Sequence, residues 1–172
     1  MTQRIISYAA LLLFCFGGPA AAQDVAFDGM LGGRNFGDGT GMFVAELRVG
    51  IAPSTWLVRP TVGIAGATDI YGSQRELMLG AHGDIQAASF LAFTLGGGVS
   101  RVSQDGGEWN SGSSTGGYLQ AALLARRSPS ARVMLAAEVR HLAAPSFTRK
   151  DGLKEEVSFT QLTFGLTVRL KR

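Results

Sequence analysis

Over 157–170 the chain reads V-S-F-T-Q-L-T-F-G-L-T-V-R-L, and polarity alternates residue by residue. Leu162, Phe164, Leu166, Val168 and Leu170 share one parity; Gln161, Thr163, Gly165, Thr167 and Arg169 share the other. Successive side chains of a strand point to opposite faces, so one face is apolar and the other polar or small. A helical period would scatter both sets, so a strand is predicted. An amphipathic strand at a chain end needs a neighbour on each edge, because an open apolar edge aggregates. Closure onto the first strand of a barrel supplies both.

Seven earlier segments alternate in the same way. Val25, Phe27 and Leu31 oppose Ala26, Asp28 and Met30 over Asp24–Gly32. Over Met42–Ile51, Phe43, Ala45, Leu47, Val49 and Ile51 oppose Val44, Glu46, Arg48 and Gly50. The remaining segments are Thr55–Ala67, Glu76–Gln86, Phe90–Val102, Gly117–Arg126 and Ala131–Leu142. Their apolar parities are led by Ile64, Leu79, Leu95, Leu119 and Leu135. A tilted strand crosses a bilayer in about 9–11 residues, which each segment reaches or nearly reaches.

The connections sharpen this. Short turns are predicted near 52–54, 87–89 and 127–130, and longer loops near 33–41, 68–75, 103–116 and 143–156. In an up-and-down array this puts short turns at one end and loops at the other, the layout of outer-membrane barrels. The polar parity is also unusually small (Gly63, Gly80, Ala92, Gly96, Gly98, Ala122, Gly165), which suits the inside of a narrow barrel. Trp56 and Phe90 at turn ends, with Phe43, Tyr118 and Phe159 at loop ends, suggest two interfacial aromatic girdles. The expected fold is therefore all-β: an eight-stranded, up-and-down, antiparallel transmembrane β-barrel.

Composition then sets the compartment. Residues 1–22 carry Arg4, an apolar run from Ile5 to Phe16 and the small residues Ala20-Ala21-Ala22, the pattern of a secretory signal peptide. The barrel domain is expected over 23–172. The single cysteine, Cys15, falls in the leader, so disulfides, thiolate metal sites and a cysteine nucleophile are not expected. The net charge of +3 includes Arg4, leaving +2 with both signs interspersed, and no basic cluster points to nucleic acid. A hydrophobic share of 46% excludes a polar disordered chain.

With the leader, the eight alternating segments and the closing Phe164-Gly165-Leu166-Thr167-Val168-Arg169-Leu170, the chain resembles the small OmpA-like and OmpX-like outer-membrane barrels. The resemblance spans the whole chain after the leader. It implies residence in the outer membrane of a Gram-negative-type bacterium, insertion by the barrel assembly machinery, and contact with outer-membrane lipid and lipopolysaccharide. A non-enzymatic role in envelope integrity or porin-like surface contact follows, with any surface partner meeting the four loops.

If the apolar parity meets lipid, the interior receives Asp28, Glu46, Asp84 and Glu138 with Arg48, Arg59, Arg126, Arg140 and Arg169, plus Gln120 and His82. Charges in so little water should pair, and the planar guanidinium bridges carboxylates well. The expected result is a polar plug that closes the lumen, rather than an ion path. His141, by parity, faces lipid near the loop end. Lipid A deacylase barrels resemble the chain in size and carry His-x-Ser-Asn on a late strand; here the segment is His141-Leu142-Ala143-Ala144. No catalytic group is therefore assigned and His141 is expected at the headgroup level, with a lipid A-modifying, deacylase-like enzyme using His141 as the alternative function. A soluble lipocalin-like barrel, with the apolar parity inside, is the alternative fold reading. Asp69, Asp105, Glu108, Asp151, Glu155 and Glu156 fall in loops, where they would be solvated or would meet cations. The glycine-spaced run Phe36-Gly37-Asp38-Gly39-Thr40-Gly41 precedes a strand, so a phosphate-binding loop is not expected. No cofactor or metal is expected.

Overall fold

A computed structural model describes residues 23–36, 39, 41–53, 57–69, 72–106, 112–128, 130–143, 146–148, 151–156 and 158–171. Residues 1–22, where the leader is expected, Trp56, Glu108 and the side chain of Glu155 lie outside the described residues. The strands are β1 (Gln23–Phe36), β2 (Gly41–Pro53), β3 (Val58–Thr68), β4 (Gly72–Ala88), β5 (Leu91–Gly106), β6 (Gly112–Ala125), β7 (Val133–Ala143), β8 (Ser146–Thr148), β9 (Lys154–Glu156) and β10 (Phe159–Lys171).

The eight long strands form a closed antiparallel barrel in the order β1-β10-β7-β6-β5-β4-β3-β2. The closing strand pairs back onto the first along its whole length, from Asp24↔Lys171 to Phe36↔Phe159. No long edge is left open for aggregation. The short hairpin β8–β9 stands between β7 and β10.

Alternation sorts the side chains as the parity predicts. Leu47 is 61% exposed and Leu119 74%, whereas Glu46 is 2% and Arg140 0%. Ile64, Phe93, Leu135 and Phe164 complete the apolar outer belt. A soluble barrel holding an apolar ligand needs the opposite arrangement, so the lipocalin-like reading does not describe this fold.

Two kinds of inward glycine make the narrow interior possible. A Cβ at Gly32, Gly98 or Gly165 would stand 2.5–2.8 Å from a Cα on the neighbouring strand, so these are places where the tightly curved sheet folds in on itself. A Cβ at Gly63, Gly80 or Gly96 would collide with the Arg48 stem, the Tyr118 hydroxyl or the His82 ring. The small polar parity is thus the space in which the large interior side chains lie.

Two expectations need correction. The strands run further than the polar pattern suggested, so the connections at one end shrink to 37–40, 69–71 and 107–111. Glycine- and serine-rich stretches read locally as loop, but 103–106 and 112–116 gain ladder partners on neighbouring strands. Only the connection 144–158, which carries β8–β9, remains long at what we call the loop end. Tyr118 and Phe159 are not interfacial: they are 3% and 2% exposed, inside the barrel. Phe43 and Phe90, each 57% exposed, do lie outside.

Candidate functional site

The interior is layered. At the loop end Met42, Val44, Leu142, Tyr118 and Phe159 form an apolar cap with Phe147, which the β8–β9 hairpin lays into the mouth. Phe36 packs against the cap, its ring 5.8 Å from that of Phe159 in an edge-on arrangement. Nearer the turn end Met30, Ala92, Leu124, Met134 and Ala136 make a second apolar cluster.

Between the two runs a chain of alternating charges. Arg34 Nη2 lies 2.5 Å from Glu76 Oε2, and Arg140 Nη2 lies 3.0 Å from both Glu76 and Glu46. Arg48 continues the chain, with its Nε 3.0 Å from Glu46 and its Nη2 on Glu138; Asp28 stands 3.6 Å away. Most carboxylates here therefore touch an arginine, and the central ones touch two. Glutamines take up part of the remaining hydrogen-bonding capacity, while Arg34 Nε, Arg140 Nε and Glu138 Oε1 are buried without a hydrogen bond among the described residues. Gln161 accepts from Arg34 and Arg140 at 2.9 and 3.0 Å and donates to Glu46 at 2.7 Å. Gln74 accepts from Arg34 at 2.6 Å and donates to Gln104 at 3.0 Å. Gln120 accepts from Arg48 at 2.6 Å, and Ser100 donates to Glu76 at 2.5 Å. The guanidinium of Arg34 also lies 3.7 Å over the Phe159 ring, a cation–π contact that joins the charged layer to its cap. Met78 fills the wall beside Arg140.

A second, smaller cluster faces the turn end. Arg59 and Arg169 donate to the same oxygen of Asp84, at 3.0 and 2.5 Å, while Thr94 donates to its other oxygen at 2.6 Å. Thr167 donates to Asp28 at 2.7 Å. The cavity among Asp28, Arg59, His82, Asp84 and Arg169 has a volume of about 20 Å³, space for about one water molecule.

Among the sequence-predicted interior residues, Asp28, Glu46, Arg48, Gln120, Glu138 and Arg140 meet in the main chain of charges. Arg59, Asp84 and Arg169 meet in the second cluster. Arg126 joins neither of these contacts. It follows the end of β6 and donates to the Ser89 carbonyl at 2.7 Å and to Gln86 at 2.9 Å, which ties two turns together. Arg34, Gln74, Glu76 and Gln104 are interior members that polarity alone assigned to loops or left out, and Gln161, on the polar parity of the closing strand, joins them. The signal was present as parity: Arg34 continues the inward series from Met30, and Glu76 continues it from His82. His82 is interior, its Nε2 3.5 Å from the Thr61 hydroxyl.

His141 projects outward beside Thr160, with Nδ1 3.0 Å from Oγ1. That cross-strand contact holds the ring, and no serine–histidine–carboxylate arrangement forms there among the described residues. Two loop acids act as turn caps: Asp69 accepts from Gly72 N at 2.7 Å and Asp151 from Leu153 N at 3.1 Å. In the glycine-spaced run, Gly39 has φ of 87° and donates to the Phe36 carbonyl, which makes a tight turn; residues 37, 38 and 40 lie outside the described set. No group of three metal-ligating side chains occurs among the described residues.

The fold is that of the small eight-stranded outer-membrane β-barrels. Neisserial surface protein A superposes with a TM-score of 0.64 at 18% identity, over 86% of this chain and 98% of its own. The N-terminal β-barrel domain of Pseudomonas aeruginosa OprF gives 0.58 at 12% identity, over 86% and 97%. The outer membrane enzyme PagL gives 0.52 at 11% identity, over 84% and 98%. No protein-family model and no curated protein matches the chain by sequence.

Proposed function

We propose that the protein is a non-enzymatic barrel of the outer membrane that contributes to envelope integrity, with its lumen closed by the arginine–carboxylate chain. The observation that carries this reading is the Arg34–Glu76–Arg140–Glu46–Arg48–Glu138 series, held between two apolar layers. Among the described residues, five arginines (34, 48, 59, 140, 169) and five acids (28, 46, 76, 84, 138) pair with one another in the two clusters, which supports a self-paired plug. An eight-stranded lumen is just wide enough to be filled by side chains, which supports closure. The leader 1–22 would direct export, and the barrel assembly machinery would insert the folded strands. The loop end, with 144–158, would face outward; any surface partner would meet that connection first, because the others are short. Nucleic acid is not a partner in this reading.

Planar-bilayer recording on purified protein tests the closure. Silence at moderate voltage is expected, and steady conductance steps would overturn it. Envelope integrity is tested by deleting the gene and measuring detergent sensitivity.

A lipid-acting enzyme is the second reading, favoured by the outward His141 and by the likeness of the fold to PagL. Comparing lipid A from cells expressing the wild type and His141→Ala decides it. A change that depends on His141 would establish the enzyme, and identical profiles would remove it.

A further inference from the structure

The outer wall is not uniformly apolar. Adjacent strands place Leu31, Ala45, Gly66, Arg75, Ser103 and Ser113 in one outward row, and Gly29, Leu47, Ile64, Leu77, Arg101 and Thr115 in the next row toward the turn end. At the β1–β3 side of these rows, three small residues (Gly29, Ala45, Gly66) lie low among Leu31, Leu47 and Ile64. The result is an apolar groove of about 700 Å³ with Arg75 on its rim. A Cβ added at Gly66 would meet nothing within 4 Å, so the groove is open there.

The other side of the rows is basic. Arg75 pairs with Ser103 and Leu77 with Arg101, so the two arginines are diagonal neighbours on one face of an antiparallel pair. Such positions are roughly 7–8 Å apart at Cα, within reach of one another's long side chains. Both arginines are exposed on the outward parity. Arg101 donates to Ser113 at 2.8 Å, whereas Arg75 makes no hydrogen bond or ion pair among the described residues. Asp105, one position further toward the loop end, is itself engaged. Two outward arginines above an otherwise apolar belt are unfavourable facing hydrocarbon, and favourable where an anionic headgroup meets them.

We propose that Arg75 and Arg101, with the hydroxyl of Ser103 between them, hold a phosphate of outer-leaflet lipopolysaccharide, and that one of its acyl chains lies in the groove over Gly66, Ala45 and Gly29. The guanidinium forks supply charge-assisted hydrogen bonds to the phosphate oxygens. The groove supplies apolar contact where the sheet would otherwise present a gap. This inference rests on the membrane reading above, with the loop end in the outer leaflet.

The test uses the folded barrel in detergent, titrated with purified lipopolysaccharide, dephosphorylated lipopolysaccharide or phosphatidylglycerol, and read by thermal unfolding. Lipopolysaccharide should raise the Tm of the wild type more than either comparator. In Arg75→Glu/Arg101→Glu the affinity should fall by roughly tenfold or more, since two charged contacts are lost. Gly66→Leu, which fills the groove, should weaken binding, and Arg132→Glu at the turn end should not. An equal response of the double variant and the wild type would overturn the site. An equal response to phosphatidylglycerol would overturn the assignment to lipopolysaccharide. A gel comparing unheated and boiled samples reports whether each variant is folded; should the charge reversal not fold, Arg75→Gln/Arg101→Gln is judged by the same outcomes. Cell fractionation separates the two readings. Recovery as a soluble protein would reject the membrane barrel itself, whereas a membrane-bound protein with no lipopolysaccharide response would reject the site alone.

Discussion

In the loop-end half of the interior, Arg34, Arg140, Glu46 and Glu76 have side chains that are 0–1% exposed. In the turn-end half, Arg59, Asp84 and Arg169 are 13–23% exposed and share one carboxylate oxygen. The chemistry is the same and the energetics are not. A fully buried pair has little water to take over when one partner is lost, so its neighbour is stranded as an uncompensated charge. A cluster near the mouth can re-solvate, and its pairs are partly screened. One half of the plug should therefore behave as a cooperative unit and the other as a set of replaceable contacts.

The largest effect that separates the halves is expected at Arg140. Arg140→Ala leaves Glu46 and Glu76 each short of a cation, a loss of about 3–5 kcal/mol, measurable by urea unfolding in vesicles. A change no larger than that of Arg59→Ala would erase the distinction. Phe147→Ala is expected next. Truncating a buried phenylalanine costs about 3 kcal/mol, but here the loss falls on docking of the β8–β9 hairpin. Protease should then cut within 144–158 while the barrel persists; simultaneous loss of the barrel would show that the cap is part of the same cooperative unit. Arg59→Ala should cost about 1 kcal/mol or less, because Asp84 keeps Arg169 and gains water. Removing Arg59 and Arg169 together should cost more than the sum of the single losses, since only then is Asp84 left alone. Simple additivity would mean that the two arginines do not share it. Arg126→Ala, outside both clusters, should stay within about 0.5 kcal/mol by the same unfolding measurement.

Period-two alternation carried the barrel, because in-or-out placement in a strand follows from parity with no knowledge of neighbours. It sorted Leu47 from Arg48 and Val139 from Arg140 correctly. It served less well where identity competed with position. Arg34 sits beside Asn35 in a glycine-rich run and reads as loop, yet β2 and β10 pair with it on both sides. Tyr118 and Phe159 have inward parity, but their place near strand ends suggested an interface; the guanidinium groups of Arg140 and Arg34 are what make the interior hospitable to them. Which acid meets which arginine was not legible, because it depends on the stagger of strands far apart in sequence, as for Glu46 and Arg140 or for Arg48 and Glu138, 90 residues apart. The β8–β9 hairpin was missed because three-residue strands are too short for alternation to register.

The central claim is that the apolar parity meets lipid and the charged parity does not. The sequence holds one cysteine, Cys15, so on a Cys15→Ser background single cysteines at Phe93, Leu135 and Leu166 can each carry a fluorescent label in the barrel reconstituted in vesicles. Brominated acyl chains should quench all three labels and aqueous iodide should quench none. Strong iodide quenching with no effect of brominated lipid would contradict the account.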